Sequence, residues 1–196
     1  MNGRMSVMHR RNFLYGGLGA LTACSKTEEL SQSTGSLERV KWRMATSWPP
    51  NFPGHGTSAN RLAQRLEELS GGRIEVDVFA AGELVPALEI LDVVSRGQIQ
   101  LGHSAPIYWR GQIPASQLFG SVPFGMLPNE FNAWLYFGGG LELWQEAYAP
   151  LGVIPFPAGN TGSQMGGWFN REINTIEDLN GLKMRIPGLG GEVMRR

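Results

Sequence analysis

The sequence predicts an α/β fold with a parallel sheet. Three observations carry that expectation. Val40, Trp42 and Met44 alternate with Lys41 and Arg43, the period of a half-buried strand. Ile74, Val76 and Val78 alternate with Arg73, Glu75 and Asp77 in a second such run. Between them, and again before a third apolar stretch at Ile99 and Leu101, lie segments of helical length. Strand, helix, strand, helix, strand makes two successive crossover units, and such crossovers build parallel sheets covered by helices.

Each element has its own signal. After the first strand a loop rich in proline and glycine runs from Ser47 to Gly56. Thr57 or Ser58 then offers a cap, and Leu62, Leu66 and Leu69 form a stripe that ends at Gly71-Gly72. Pro86 suits a first helical position, with Leu88, Leu91 and Val94 behind it and Gly97 closing the helix. The aromatic, proline-containing stretch from His103 to Met126 reads as a loop or short helix over the carboxyl ends of the strands, the edge at which open α/β sheets bind ligands. Pro128-Asn129 opens a helix with Phe131, Trp134 and Leu135 on one face, and Gly138-Gly139-Gly140 breaks it. Leu141, Trp144 and Tyr148 mark another. Val153, Ile154 and Phe156 read as a strand, Trp168 and Phe169 begin one, and Leu182, Met184 and Ile186 form a last one by alternation with Lys183 and Arg185. Thr175 with Asp178 resembles a capping box for a one-turn helix, and Glu192 starts a new helix. That helix has hardly begun at Arg196, so the expectation is a C-terminally truncated chain.

The first 24 residues read as a targeting segment. Arg10-Arg11-Asn12-Phe13-Leu14 matches a twin-arginine export pattern, although general secretion also tolerates paired arginines. The apolar run from Phe13 to Ala23 is too short to span a bilayer, which takes roughly 20 residues. Leu21-Thr22-Ala23-Cys24 has the form of a lipobox, and Cys24 is the only cysteine. Two readings stand open there: lipid attachment at Cys24, or an ordinary signal peptide with a cysteine near its cleavage site. Residues 25–37 are small and polar, as a tether is. Residues 38–155 then form a first α/β domain, and 156–196 begin a second.

Composition removes several classes. The 196 residues are 42% hydrophobic and 17% charged, with zero formal net charge. Without the leader's Arg4, Arg10 and Arg11, 14 basic and 17 acidic residues remain, so nothing points to nucleic acid. His9, His55 and His103 are scattered, without zinc spacing or a nucleophile motif. Gly188-Leu189-Gly190-Gly191 lacks the third glycine of a dinucleotide loop, because Val193 stands there. Arg185 lies on the polar face of its strand. It is either a solvated charge or a guanidinium facing a cleft, where it holds a carboxylate bidentately.

Four segments carry a family resemblance: Ser104-Ala105-Pro106-Ile107-Tyr108-Trp109, Val122-Pro123-Phe124-Gly125-Met126, Gln164-Met165-Gly166-Gly167-Trp168, and Ile176 through Arg185. From about Val40 to Arg196 the chain resembles the extracytoplasmic solute-binding subunits of TRAP transporters (tripartite ATP-independent periplasmic transporters). The resemblance implies a two-domain flytrap of the periplasmic-binding-protein kind, its second domain incomplete here. It implies a binding protein rather than an enzyme, with no catalytic cofactor. Its ligand would be a small 2-oxo or 2-hydroxy monocarboxylate, and its partners the small and large membrane subunits. Arg185 would pair with the ligand carboxylate. Gln164 would help hold a cation, sodium or calcium, that bridges protein and ligand. The Trp-Glu pair that completes the cation site in that subgroup does not occur in this chain. Tyr108 stands after the third strand, as a hydroxyl donor to the ligand or a packing aromatic. The alternatives left are a sensing or ABC-type binding protein of similar fold and a periplasmic enzyme.

Overall fold

A computed structural model describes residues 38–120, 122–186 and 188–196. The twin-arginine segment, the lipobox and Cys24 lie outside the described residues. Three parallel strands form the sheet: β1 (Val40–Thr46), β2 (Ile74–Phe79) and β3 (Leu101–His103). Their order is β2-β1-β3, with Val40 opposite Ile74 and Met44 opposite Leu101. Met44 and Ala45 are neighbours and so point to opposite faces, yet they are only 1% and 2% exposed. Both faces of β1 are therefore covered, as expected for parallel strands.

The crossover helices are α1 (His55–Leu69) and α2 (Ile90–Ser95). The chain moves from β1 to β2 in one direction and then past β1 to β3 in the other. Right-handed crossovers consequently place α1 and α2 on opposite faces. On one face Ala45 joins Ile90, Leu91 and Val93 in the core cluster. The buried face of α1 is Gly56, Ala59 and Ala63, not the leucine stripe: Leu62 is at the surface and Leu69 is 80% exposed. Small side chains let a helix lie close to a sheet. The helix also starts before the expected Thr57 or Ser58 cap. Those hydroxyls donate instead to the Gly54 and His55 carbonyls. In α2 the helix begins at Ile90, four residues beyond Pro86, and leaves Leu88 exposed.

Two short 3-10 helices, Pro106–Trp109 and Pro114–Phe119, follow β3. Helices α3 (Pro128–Phe137) and α4 (Gly140–Tyr148) then pack an aromatic stack. Phe119 lies between Trp134 and Trp144, with ring centroids 6.0 and 5.6 Å away and planes within 11° of parallel. Gly140 is required there, since a Cβ would stand 2.7 Å from the Trp134 ring.

Beyond Gly152 the structure departs from the sequence reading. Residues 153–156, 168–169 and 182–186 form no strands. Among the described residues no segment supplies a ladder of hydrogen bonds to them, and alternation without a paired neighbour makes no strand. The burial alternation itself is present, with Leu182, Met184 and Ile186 half-buried and Lys183 and Arg185 exposed. A one-turn helix, Glu177–Leu179, forms where expected, and the Asp178 carboxylate accepts from the Asn174 and Thr175 amides at 2.9 Å. These bonds hold its pKa below the usual carboxylate value. The last helix, α5 (Gly188–Arg195), starts four residues before Glu192 and absorbs the glycine run into its first turn. Among the described residues no helix is long and apolar enough to cross a membrane.

Candidate ligand-binding site

In a sheet of order β2-β1-β3 the chain leaves β1 toward β2 and returns past β1 to β3. The crevice outside their carboxyl ends is where open α/β sheets take ligands. Thr46 and His103 end the two strands, and Ser47-Trp48 and Ser104 follow them. Ser47 Oγ and Ser104 Oγ are 2.6 Å apart and bridge the crevice, while Ser47 also donates to the Ala87 carbonyl. Trp48 Nε1 donates to His103 Nδ1 at 2.7 Å, and His103 Nε2 stands 3.3 Å from Ser58 Oγ. The Trp48 ring stacks on His55 at 4.4 Å and 24°.

An indole nitrogen can only donate, so His103 Nδ1 accepts and the neutral ring carries its proton on Nε2. Nε2 then donates to Ser58, and Ser58 donates to the His55 carbonyl at 2.9 Å. A serine beside a histidine is the pairing from which nucleophilic catalysis is built. In this direction of donation the imidazole is no base toward the hydroxyl. His103 is 6% exposed, and burial, then the charge of His55, push its pKa below the ordinary histidine value. Burial lowers His55 as well.

Tyr108 is half-buried beside this network, 6.5 Å from Trp48 and edge-on to Trp109. Its ring packs against the core cluster. The remaining two expected residues belong to the later segment. A Cβ on Gly167 would stand 3.1 Å from the end of the Met184 side chain, so the stretch carrying Gln164 and the one carrying Arg185 touch at that point. Residues flanking these stretches come near the crevice. A Cβ on Gly159 would stand 3.6 Å from Ser58 Oγ and 3.9 Å from His55 Nδ1. One on Gly188 would stand 3.6 Å from Ile107, the neighbour of Tyr108. Arg185 is exposed, and no hydrogen bond or ion pair among the described residues holds it or joins it to Gln164 or Tyr108. A concavity of about 350 Å³ is lined by Leu179, Leu182, Met184 and Ile186, and Arg185 is not part of its lining.

Gln164 Nε2 donates to Thr161 Oγ1, and among the described residues nothing donates to its Oε1. An amide oxygen suits a hard cation, as one of the roughly 6–8 oxygens that calcium takes. Among the described residues no group of three or more His, Cys, Asp or Glu lies close enough to supply the rest. Gln164 thus fits as one ligand of a set.

Residues 44–196 match the model of the bacterial extracellular solute-binding proteins, family 7. The chain belongs to that family. Members of family 7 are extracytoplasmic binding proteins. The chain is 50% identical over 177 residues to a monocarboxylate 2-oxoacid-binding periplasmic protein of Nostoc sp., covering 90% of this chain and 48% of that one. A TRAP periplasmic solute-binding protein of Pseudoalteromonas atlantica, with bound sodium and pyruvate, is 49% identical with a TM-score of 0.77. Another from Colwellia psychrerythraea, with bound calcium and pyruvate, is 47% identical with a TM-score of 0.78. In both cases 81% of this chain and 48% of the other are covered. This family 7 chain therefore spans about half the length of the relatives it matches. Its fold is theirs, the α/β periplasmic-binding-protein class expected from sequence.

Proposed function

We propose that this chain acts as an extracytoplasmic solute-binding subunit of a TRAP transporter and captures a small 2-oxo or 2-hydroxy monocarboxylate. The observation that carries this reading is Arg185: a guanidinium without a partner among the described residues, held on a regular alternating segment whose other face is half-buried. The relatives with bound pyruvate support the ligand class. Arg185 pairs with the carboxylate, because a carboxylate closed away from water must be paired and hydrogen-bonded. Tyr108 donates its hydroxyl from the crevice side. Gln164 contributes Oε1 to a sodium or calcium ion, and the ion offsets the repulsion between an anionic ligand and acidic ligands of the same site. In this reading residues 38–155 are the first domain and 156–196 belong to the second. The small and large TRAP membrane subunits receive the ligand. Residues 1–24 direct export by the twin-arginine route, and Cys24 carries a lipid anchor. The direction of proton donation from His103 through Ser58 supports binding rather than catalysis.

The test is calorimetric titration of pyruvate into the protein with sodium or calcium present, beside Arg185→Ala. Truncating one member of a buried charge pair costs about 2–5 kcal/mol, so at least a ~30-fold loss of affinity is expected. An unchanged affinity would mean that Arg185 is a solvated charge.

A further inference from the structure

His103 is the most buried ionisable group at the crevice, and the ligand reading above gives it no task. Its two ring nitrogens are both used, in a fixed sense. Nδ1 accepts from Trp48 and Nε2–H points to Ser58. Each of those partners leads to the same place. Trp48 stacks on His55, and His55 and Ser58 are the two side chains that a Cβ on Gly159 would meet, at 3.9 and 3.6 Å. Gly159 begins the stretch Gly159-Asn160-Thr161-Gly162-Ser163-Gln164. Within it the Asn160 side chain accepts from the Gly162 amide and Thr161 accepts from Gln164, so the stretch holds its own shape once its start is placed.

We propose that His103 is a positioning residue: as the Nε2–H tautomer it fixes the Trp48–His55 stack and Ser58, and these form the seat that places the segment carrying Gln164. The role in ligand binding rests on the reading of Gln164 as part of the site; the placement of Trp48 and Gly159 does not. The seat has little tolerance for the other tautomer. With the proton on Nδ1, two donors would face each other across 2.7 Å, and Trp48 Nε1–H would lose its acceptor. A methyl group at Gly159 would meet Ser58 and His55 at ordinary contact distances.

Nitrogen-15 spectra of the protein give the first test. Expected is an unprotonated Nδ1 and a protonated Nε2 for His103 at pH 7.5, with a Trp48 indole proton that exchanges at least ~10-fold more slowly than that of Trp168, which is 90% exposed. A Trp48→Phe variant assigns the signal. The second test compares His103→Asn, whose amide oxygen takes over the acceptor position near Nδ1, with His103→Leu, which has no acceptor. The leucine variant should speed Trp48 indole exchange and weaken pyruvate binding, each by ~10-fold, as for a buried donor left unsatisfied. It should also shift the amide signals of residues 159–164. The asparagine variant should stay within ~3-fold of the parent in exchange and affinity. An Nδ1–H tautomer, or a leucine variant with unchanged exchange and unchanged 159–164 signals, overturns the proposal. If the leucine variant does not fold, the tautomer and the rescue by asparagine still decide. If the parent protein binds no pyruvate, the proposed function fails while the tautomer, the exchange rates and the 159–164 signals decide the seat on their own.

Discussion

In β1, Trp42 and Met44 alternate with Lys41 and Arg43; in residues 182–186, Leu182, Met184 and Ile186 alternate with Lys183 and Arg185. The first run pairs with β2 along its length and with β3 from Met44 onward; Met44 ends fully buried and Trp42 half-buried. The second is half-buried at its apolar positions and unpaired among the described residues. The two runs share a period and differ in what lies beside them. Alternation decides which side chains face inward, but a strand exists only when neighbours take up its backbone groups.

Truncation of the core should separate the two regions most. Leu135 is 1% exposed in α3, so Leu135→Ala is expected to cost about 2–5 kcal/mol by denaturant unfolding. Ile176, 80% exposed, should change by less than about 0.5 kcal/mol when made alanine. Similar costs at both sites would erase the contrast. Overfilling is the next test. A Cβ at Gly102 in β3 would stand 2.6 Å from Ile90 and 3.2 Å from Val94, and Gly102→Ala should cost about 1–3 kcal/mol. A neutral outcome would mean that α2 packs more loosely on β3 than the buried Ile90 implies.

Acid should then distinguish the regions by slope. His103 has a folded-state pKa below its unfolded value, so the unfolded chain binds the extra proton. The contribution of neutral His103 is complete above about pH 6.5 and declines as pH falls through that value. Thermal melts from pH 7.5 to 5 should show stability falling, with a shallower fall in His103→Asn. Equal slopes in the two proteins would assign the acid sensitivity to other groups. The smallest effect concerns Asp178. Its lowered pKa means that its bonds to Asn174 and Thr175 persist until the pH drops below the usual carboxylate range. Asp178→Asn should speed amide exchange at those two residues while leaving β1 and β3 unaffected, as hydrogen exchange by NMR would report.

The parallel sheet was legible because its signals are local: three short apolar runs and two helical spacers. Strand order was not, since nothing in the sequence says on which side of β1 the third strand lands. The α1 stripe misled because leucine is the stronger apolar signal, while closeness of helix and sheet favours Ala59 and Ala63. Of the candidate site, Tyr108 was placed at the carboxyl edge from its position after β3, and it lies there. The Trp48–His103 pair was missed. The two residues are 55 positions apart, and a lone tryptophan and a lone histidine make no spacing motif. The usable signal was positional: each stands at or just past the carboxyl end of a strand. The exposure of Arg185 follows from alternation, yet no spacing connects it to Gln164 or Tyr108.

The strand order also sets a sequence of events in time. β1 and β2 pair across 34 residues over six positions, whereas β1 and β3 pair across 57 residues over three. Closing the longer loop costs only about 0.5 kcal/mol more, so the larger difference is the reward, half as many paired positions. β3 should therefore dock after the β1–α1–β2 unit has formed and detach before it unfolds. Ser104 and His103 leave with it, and the crevice loses one wall. Competence to hold a ligand then becomes a marker of completed folding, and a bound ligand, by mass action, slows the loss of the strand that assembled last.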